Sequence, residues 1–181
     1  MLLHNSRRKA GFTLVEVMVV VVLSSLIAAM AMPTLVFFSK SMLGVGNYGE
    51  MSAKSRSALE IFSRDLHTAE SITAASSSSF TVTLPDELNS ATVVYTYSSA
   101  NKELTRMETP ASGTATSRVL FGDVNRFAFV YYNRLGVDVT NSASVLTESK
   151  SVQINAELLK EVLSVANTDY IISARFLMRN H

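Results

Sequence analysis

From Val17 to Ser39 the chain carries no charged residue. That run of 23 positions, read as a helix at ~1.5 Å per residue, is ~35 Å long and can cross a hydrocarbon core of ~30 Å. Arg7, Arg8 and Lys9 stand just before it. Basic residues on one flank hold that end in the cytoplasm, so everything after residue 40 is expected on the far side of the membrane.

One carboxylate interrupts the apolar start. Glu16 follows Phe12-Thr13-Leu14-Val15 and precedes the uncharged run. An ionised carboxylate inside a membrane helix costs roughly 2.5–3.5 kcal/mol on insertion scales. Glu16 either snorkels to the headgroups from the first turn or meets a cation supplied by another molecule.

Lys9-Ala10-Gly11 followed by Phe12-Thr13-Leu14-Val15-Glu16 resembles the leader and cleavage site of type IV prepilins and type II secretion pseudopilins. The resemblance implies cleavage between Gly11 and Phe12 by a prepilin peptidase on the cytoplasmic face. It also implies N-methylation of Phe12 by the same peptidase/methyltransferase, and it places Glu16 fifth in the mature chain. In that family the glutamate pairs with the N-terminal amine of a neighbouring subunit, which is largely protonated at pH 7. Such a buried pair contributes register more than stability, because desolvation offsets much of its Coulomb gain. The partners implied are other pilin or pseudopilin subunits, the peptidase, inner-membrane lipid and the filament assembly platform. The implied location is the bacterial inner membrane, single-pass, with a periplasmic C-terminal domain, and then a filament.

Other processing routes stay open at this stage. A secretory signal peptide has a 7–15-residue apolar region before a small-x-small site, and Ala28-Ala29-Met30-Ala31 offers one. Cleavage there would remove Glu16 and leave a soluble chain starting near Met32. A plain single-pass anchor carrying an envelope binding domain is the other alternative. Neither accounts for Gly11-Phe12 and Glu16 occurring together.

Composition fits export. Without Arg7, Arg8 and Lys9, thirteen basic residues face fifteen acidic ones, so the formal charge of +1 becomes −2. No basic surface calls for nucleic acid. No cysteine is present, which excludes disulfides and thiolate metal sites. Many major pilins close a C-terminal loop with a disulfide, so its absence points toward a minor subunit.

Pro33 removes a helical hydrogen bond and crowds the preceding turn, which predicts a kink. Gly44, Gly46 and Gly49 predict bending or fraying, each costing ~1 kcal/mol relative to alanine in a helix. Beyond them Ala58, Leu59, Phe62, Leu66 and Ala69 recur at helical spacing and form one apolar stripe. Arg56–Glu60 and Glu60–Arg64 are opposite charges four apart. Phe12 to about Ile72 therefore reads as one helix. It is apolar all round in its first half and amphipathic in its second.

The serine run after Ala75 reads as a break. Period-two patterns then predict strands over Phe80–Leu84, Thr92–Tyr97, Glu103–Glu108, Arg118–Phe121, Arg126–Tyr132, Val152–Leu158 and Tyr170–Met178. Glu161 and Val162 are expected in a short helical turn. Asn133–Lys150 and Ser164–Asp169 are expected as loops. The predicted architecture is α+β and pilin-like, with the long helix packed on an antiparallel sheet. Its parts are a leader (1–11), a transmembrane and filament-core helix (12–40), an amphipathic half-helix (41–72) and a periplasmic β domain (73–181).

The order Leu59-x-x-Phe62-Ser63-Arg64-Asp65-Leu66, Tyr95-Thr96-Tyr97, Leu104-Thr105-Arg106 and Phe127-x-Phe129-x-Tyr131 is similar to the W-type minor pilin and the J-type pseudopilin. Such subunits are thought to prime filament assembly.

Enzymatic chemistry has no footing. His4, His67 and His181 are scattered, and no G-x-S-x-G, Walker or H-E-x-x-H motif occurs. No cofactor and no metal is expected. Asp86-Glu87 and Asp123, which could suit a calcium loop, read as acidic turn residues facing water. Arg64-Asp65 reads as a solvated face or a salt bridge to the sheet, with a subunit contact as the functional alternative.

Overall fold

The computed structural model describes residues 11–85, 91–162 and 165–178. Among the described residues a long helix, α1 (Leu14–Thr68), is followed by eight strands. They are β1 (Ser71–Ala75), β2 (Ser79–Thr83), β3 (Thr92–Ser98), β4 (Glu103–Thr109), β5 (Thr116–Phe121), β6 (Val124–Tyr132), β7 (Ser151–Val162) and β8 (Val165–Leu177). A one-turn helix, α2 (Val145–Glu148), precedes β7. The chain divides into two compact units, residues 1–43 and 44–181.

In the first unit the described helix is exposed on every side. Ser25, Thr34 and Ser39 return their hydroxyls to the carbonyls of Val22, Met30 and Leu35. Those hydroxyls are thereby satisfied within an apolar stretch. The helix runs through Pro33 without a break in its assignment.

In the second unit α1 buries Met51, Ser55, Ala58, Phe62, Asp65 and Leu66, one face at three- and four-residue spacing. That face meets antiparallel strands, so the α+β layout holds. The strands form two sheets, β1-β2-β3-β4-β5 and β6-β7-β8. Phe62 is the centre of the core, in ring contact with Phe80, Tyr95, Phe129 and Phe176 at centroid distances of 5.0–5.9 Å.

The serine run joins the two sheets. It forms the β1–β2 turn, whose Ser78 carbonyl accepts from the Tyr97 N–H and whose Ser77 carbonyl accepts from the Phe129 N–H, each at 2.8 Å. The Tyr131 hydroxyl donates to the Ser76 carbonyl at 2.9 Å. Tyr131 is therefore core, while its neighbour Tyr132 lies under the Arg175 guanidinium, 3.5 Å from the ring centroid.

Several expectations are corrected. The helix stops at Thr68 rather than near Ile72, and Ile72 belongs to β1. Its apolar side chain fits either period, and pairing of Ile72 with Val82 decides for the strand. Glu161 and Val162 continue β7, and residues 165–169 belong to β8 rather than a loop. Leu159 pairs with Asp169, Lys160 with Thr168, and Val162 with Val165, so a hairpin replaces the expected turn and loop. Polar residues in these rungs hid the strand period.

Register defines the outer face of the larger sheet. Antiparallel partners share a face, giving four cross-strand rows: Ser71–Thr83–Thr92–Thr109, Ala74–Thr81–Val94–Met107–Ser117, Ser79–Thr96–Thr105–Val119 and Ser98–Glu103. No member of these rows is buried. The opposite face carries Phe80, Val82, Val93, Tyr95 and Leu104 into the core.

Candidate functional site

Helix α1 begins one residue after Thr13, and that residue caps it. The Glu16 N–H donates to Thr13 Oγ1 at 3.2 Å, and the Val17 N–H donates to the Thr13 carbonyl at 3.2 Å. A helix start leaves four N–H groups without intrahelical partners, and a Thr oxygen at the cap meets one of them. Thr13-x-x-Glu16 is the capping-box pattern, a signal legible in the sequence but not used there. Glu16 thus sits in the first turn, where the positive end of the helix dipole favours a carboxylate.

Phe12, Glu16, Val17, Val20 and Val21 line one shallow groove of about 230 Å³. The structure therefore brings the aromatic and the carboxylate of the motif to one face. Gly11 precedes the helix with nothing within 4 Å of where a Cβ would lie. Arg7, Arg8 and Lys9 lie outside the described residues. Pro33 lines a separate groove with Ala29, Met32, Val36, Phe37 and Lys40.

An 18-residue window of α1 has a mean hydropathy of 2.5 with none of it buried. Length and apolarity alone suit a signal sequence as well as a membrane span.

In the second unit the polar chemistry is structural. Asp65, buried on the apolar face of α1, accepts from the Tyr95 hydroxyl at 2.5 Å and from Arg106 Nε at 2.6 Å. Arg106 also donates through Nη1 to Glu108 at 2.7 Å. Burial raises the Tyr95 hydroxyl pKa above its ordinary value, and the Asp65 charge raises it further. Burial would lower the Arg106 guanidinium, but its bonds to Asp65 and Glu108 outweigh that and raise it. Of the readings open for Arg64-Asp65, the salt bridge to the sheet is the one found at Asp65. The sequence marks Asp65 as helical and polar; only tertiary packing turns it inward.

A second ionic group lies at Glu50. Its carboxylate bonds Lys160 of β7 at 2.6 Å and Lys54 at 2.7 Å. Hydrogen bonds from Lys160 and then Lys54 hold its pKa down at about 2. Among the described residues the i, i+4 ion pair on the helix is thus Glu50–Lys54 rather than Arg56–Glu60 or Glu60–Arg64. Asp123 lines the adjoining cavity of about 350 Å³ with Lys54, Lys102 and Lys160. Asp86 and Glu87 lie outside the described residues. Among the described residues no three His, Cys, Asp or Glu side chains gather as a metal site would need.

Residues 6–32 match the prokaryotic N-terminal methylation motif. No curated protein gave a significant match to the chain. The matched segment contains Gly11, Phe12 and Glu16. Together with the long helix packed on antiparallel strands, it defines a chain with a prepilin-type N-terminus on a pilin-like α+β layout. Residues 6–32 thus carry a prepilin-type motif, and α1 is long and apolar enough to cross a membrane.

Proposed function

We propose that this chain is a minor pilin or pseudopilin, cleaved after Gly11, methylated on Phe12, and drawn from the membrane into a filament that it helps to prime. The observation that carries the reading is the methylation motif at residues 6–32, with Gly11-Phe12 and Glu16 placed ahead of the uncharged run. Residues 1–11 then act as the leader, with Arg7, Arg8 and Lys9 holding it in the cytoplasm. The segment from Phe12 to Phe38 packs against equivalent helices, with Pro33 marking a bend. Glu16 takes the N-terminal amine of a neighbour, and the β domain in the periplasm selects partners. The activity is assembly rather than catalysis. The motif match carries no subtype, so the W-type or J-type assignment rests on the short patterns between Leu59 and Tyr131.

Intact mass and N-terminal peptide mapping of the protein from its native membranes test this reading. A chain starting at Phe12 with one added methyl group is expected. A chain starting at Met1 or near Met32 would refute it.

A further inference from the structure

Four separate parts of the second unit meet around the cavity of about 350 Å³: helix α1, the β3–β4 turn, the β5–β6 turn and strand β7. Its charges are unevenly satisfied. On one side Glu50 holds Lys160 and Lys54, at 2.6 Å and 2.7 Å. On the other, Lys102, Glu103 and Asp123 line the cavity, and none of them makes an ion pair among the described residues. Lys102 and Asp123 have left-handed backbone, φ 54° and 59°, a conformation that lysine seldom adopts. Both turns are held in place. The Lys102 carbonyl accepts from the Val124 N–H at 2.9 Å, and the Asp123 carbonyl accepts from the Leu159 N–H at 2.8 Å. Beside these charges Met51, Phe121 and Leu158 line the cavity as buried apolar residues, and Val119 as one that is 49% exposed.

We propose that this cavity binds a small zwitterion with an apolar side chain, of which a free aliphatic amino acid is the simplest. Charge selects the class. A simple anion drawn to Lys102 would be repelled by Glu103 and Asp123. A simple cation drawn to those carboxylates would be repelled by Lys54, Lys102 and Lys160. A ligand carrying both signs gains from each set, its carboxylate taken by Lys102 and its ammonium by Asp123 and Glu103. The apolar wall sets a second requirement, because an aliphatic side chain that covers Val119 removes apolar surface from water. Size sets a third. Ligand pockets span about 300–1,000 Å³, and this one lies near the small end, which suits an amino acid or dipeptide rather than a larger molecule. The site belongs to the second unit alone and does not depend on how the N-terminus is processed.

Ligand-observed NMR titration of the full-length chain in detergent, with leucine, N-acetylleucine, leucinamide and glycine, tests the proposal. Leucine should bind with a Kd below ~1 mM. N-acetylleucine lacks the ammonium, leucinamide lacks the carboxylate and glycine lacks the side chain, so each should bind at least tenfold more weakly. Two variants locate the site. Asparagine tolerates left-handed backbone, so Lys102→Asn and Asp123→Asn should keep the thermal midpoint while weakening leucine at least tenfold. Lys102→Asn should also erase the preference for leucine over leucinamide, and Asp123→Asn should narrow the preference over N-acetylleucine. Absence of saturable leucine binding to the unaltered chain, or equal affinity for the four compounds, would overturn the proposal. Undiminished leucine binding in both variants would overturn the assignment to this cavity.

Discussion

At the scale of single residues, Phe62 and Asp65 illustrate opposite ways of holding one helix face to a sheet. Phe62 is wholly buried among four aromatic rings. Truncation of such a side chain costs about 3–5 kcal/mol, against total domain stabilities of about 5–15 kcal/mol. Phe62→Ala should therefore remove a large share of the domain's stability, read as a marked drop in the thermal midpoint of the detergent-solubilised chain; an unchanged midpoint would refute its central place in the core. Asp65 binds by charge, with Tyr95 and Arg106 filling its acceptor sites. Removing one partner strands the other charge, so Arg106→Met should cost about 3 kcal/mol. The double variant with Asp65→Asn should recover part of that loss; strict additivity would refute the coupling. Ser55 presents the reverse case, since its buried hydroxyl has no partner. Ser55→Ala removes an unpaired polar group and should leave stability unchanged or raise it by up to ~1 kcal/mol. A clear loss on denaturant titration would show that the hydroxyl finds a partner.

At the scale of elements, α1 contains three glycines that its surroundings do not require. A Cβ at Gly44, Gly46 or Gly49 would meet nothing within 4 Å. Each should gain about 0.5–1 kcal/mol of helix stability on replacement by alanine. Amide exchange across residues 40–50 should slow correspondingly in the triple variant. Unchanged exchange would mean that this segment is already held by other contacts. Directly after Gly49, Glu50 ties the helix to β7 through Lys160. Its folded pKa of about 2 lies below the ordinary 4.5. Its contribution to stability is therefore whole above pH 4.5 and fades as the pH falls toward 2. Glu50→Gln should flatten that part of the acid limb of a melting-temperature profile, and an unaltered limb would refute the pair.

At the scale of the whole molecule, the N-terminal segment carries the assembly reading. Glu16→Val removes the carboxylate but leaves Gly11 and Phe12. It should permit cleavage while lowering incorporation or N-methylation, as judged by comparing the processed N-terminus with sheared filament fractions. Normal assembly of that variant would remove the proposed role of Glu16. Gly11→Val should stop maturation, leaving the Met1 chain in membranes.

The long helix, its uncharged half, its apolar stripe and most strands were legible because each rests on a local period, 3.6 or 2, or on an uninterrupted run. The motif from Lys9 to Glu16 was legible for a similar reason, being a contiguous spacing of particular chemical types. The inward turn of Asp65 was not, since its partners Tyr95 and Arg106 lie 30 and 41 residues away. The division into two sheets, the joining of β3 and β6 by serine carbonyls, and the hydroxyl-rich outer face also depend on register between distant strands. Sequence by itself determined the uncharged apolar run, the motif from Lys9 to Glu16 and the α+β class, because those properties belong to neighbours along the chain. Tertiary structure alone decided which polar groups are buried in pairs and which hydroxyls share one face, because those properties arise only when remote backbone groups find their hydrogen-bond partners.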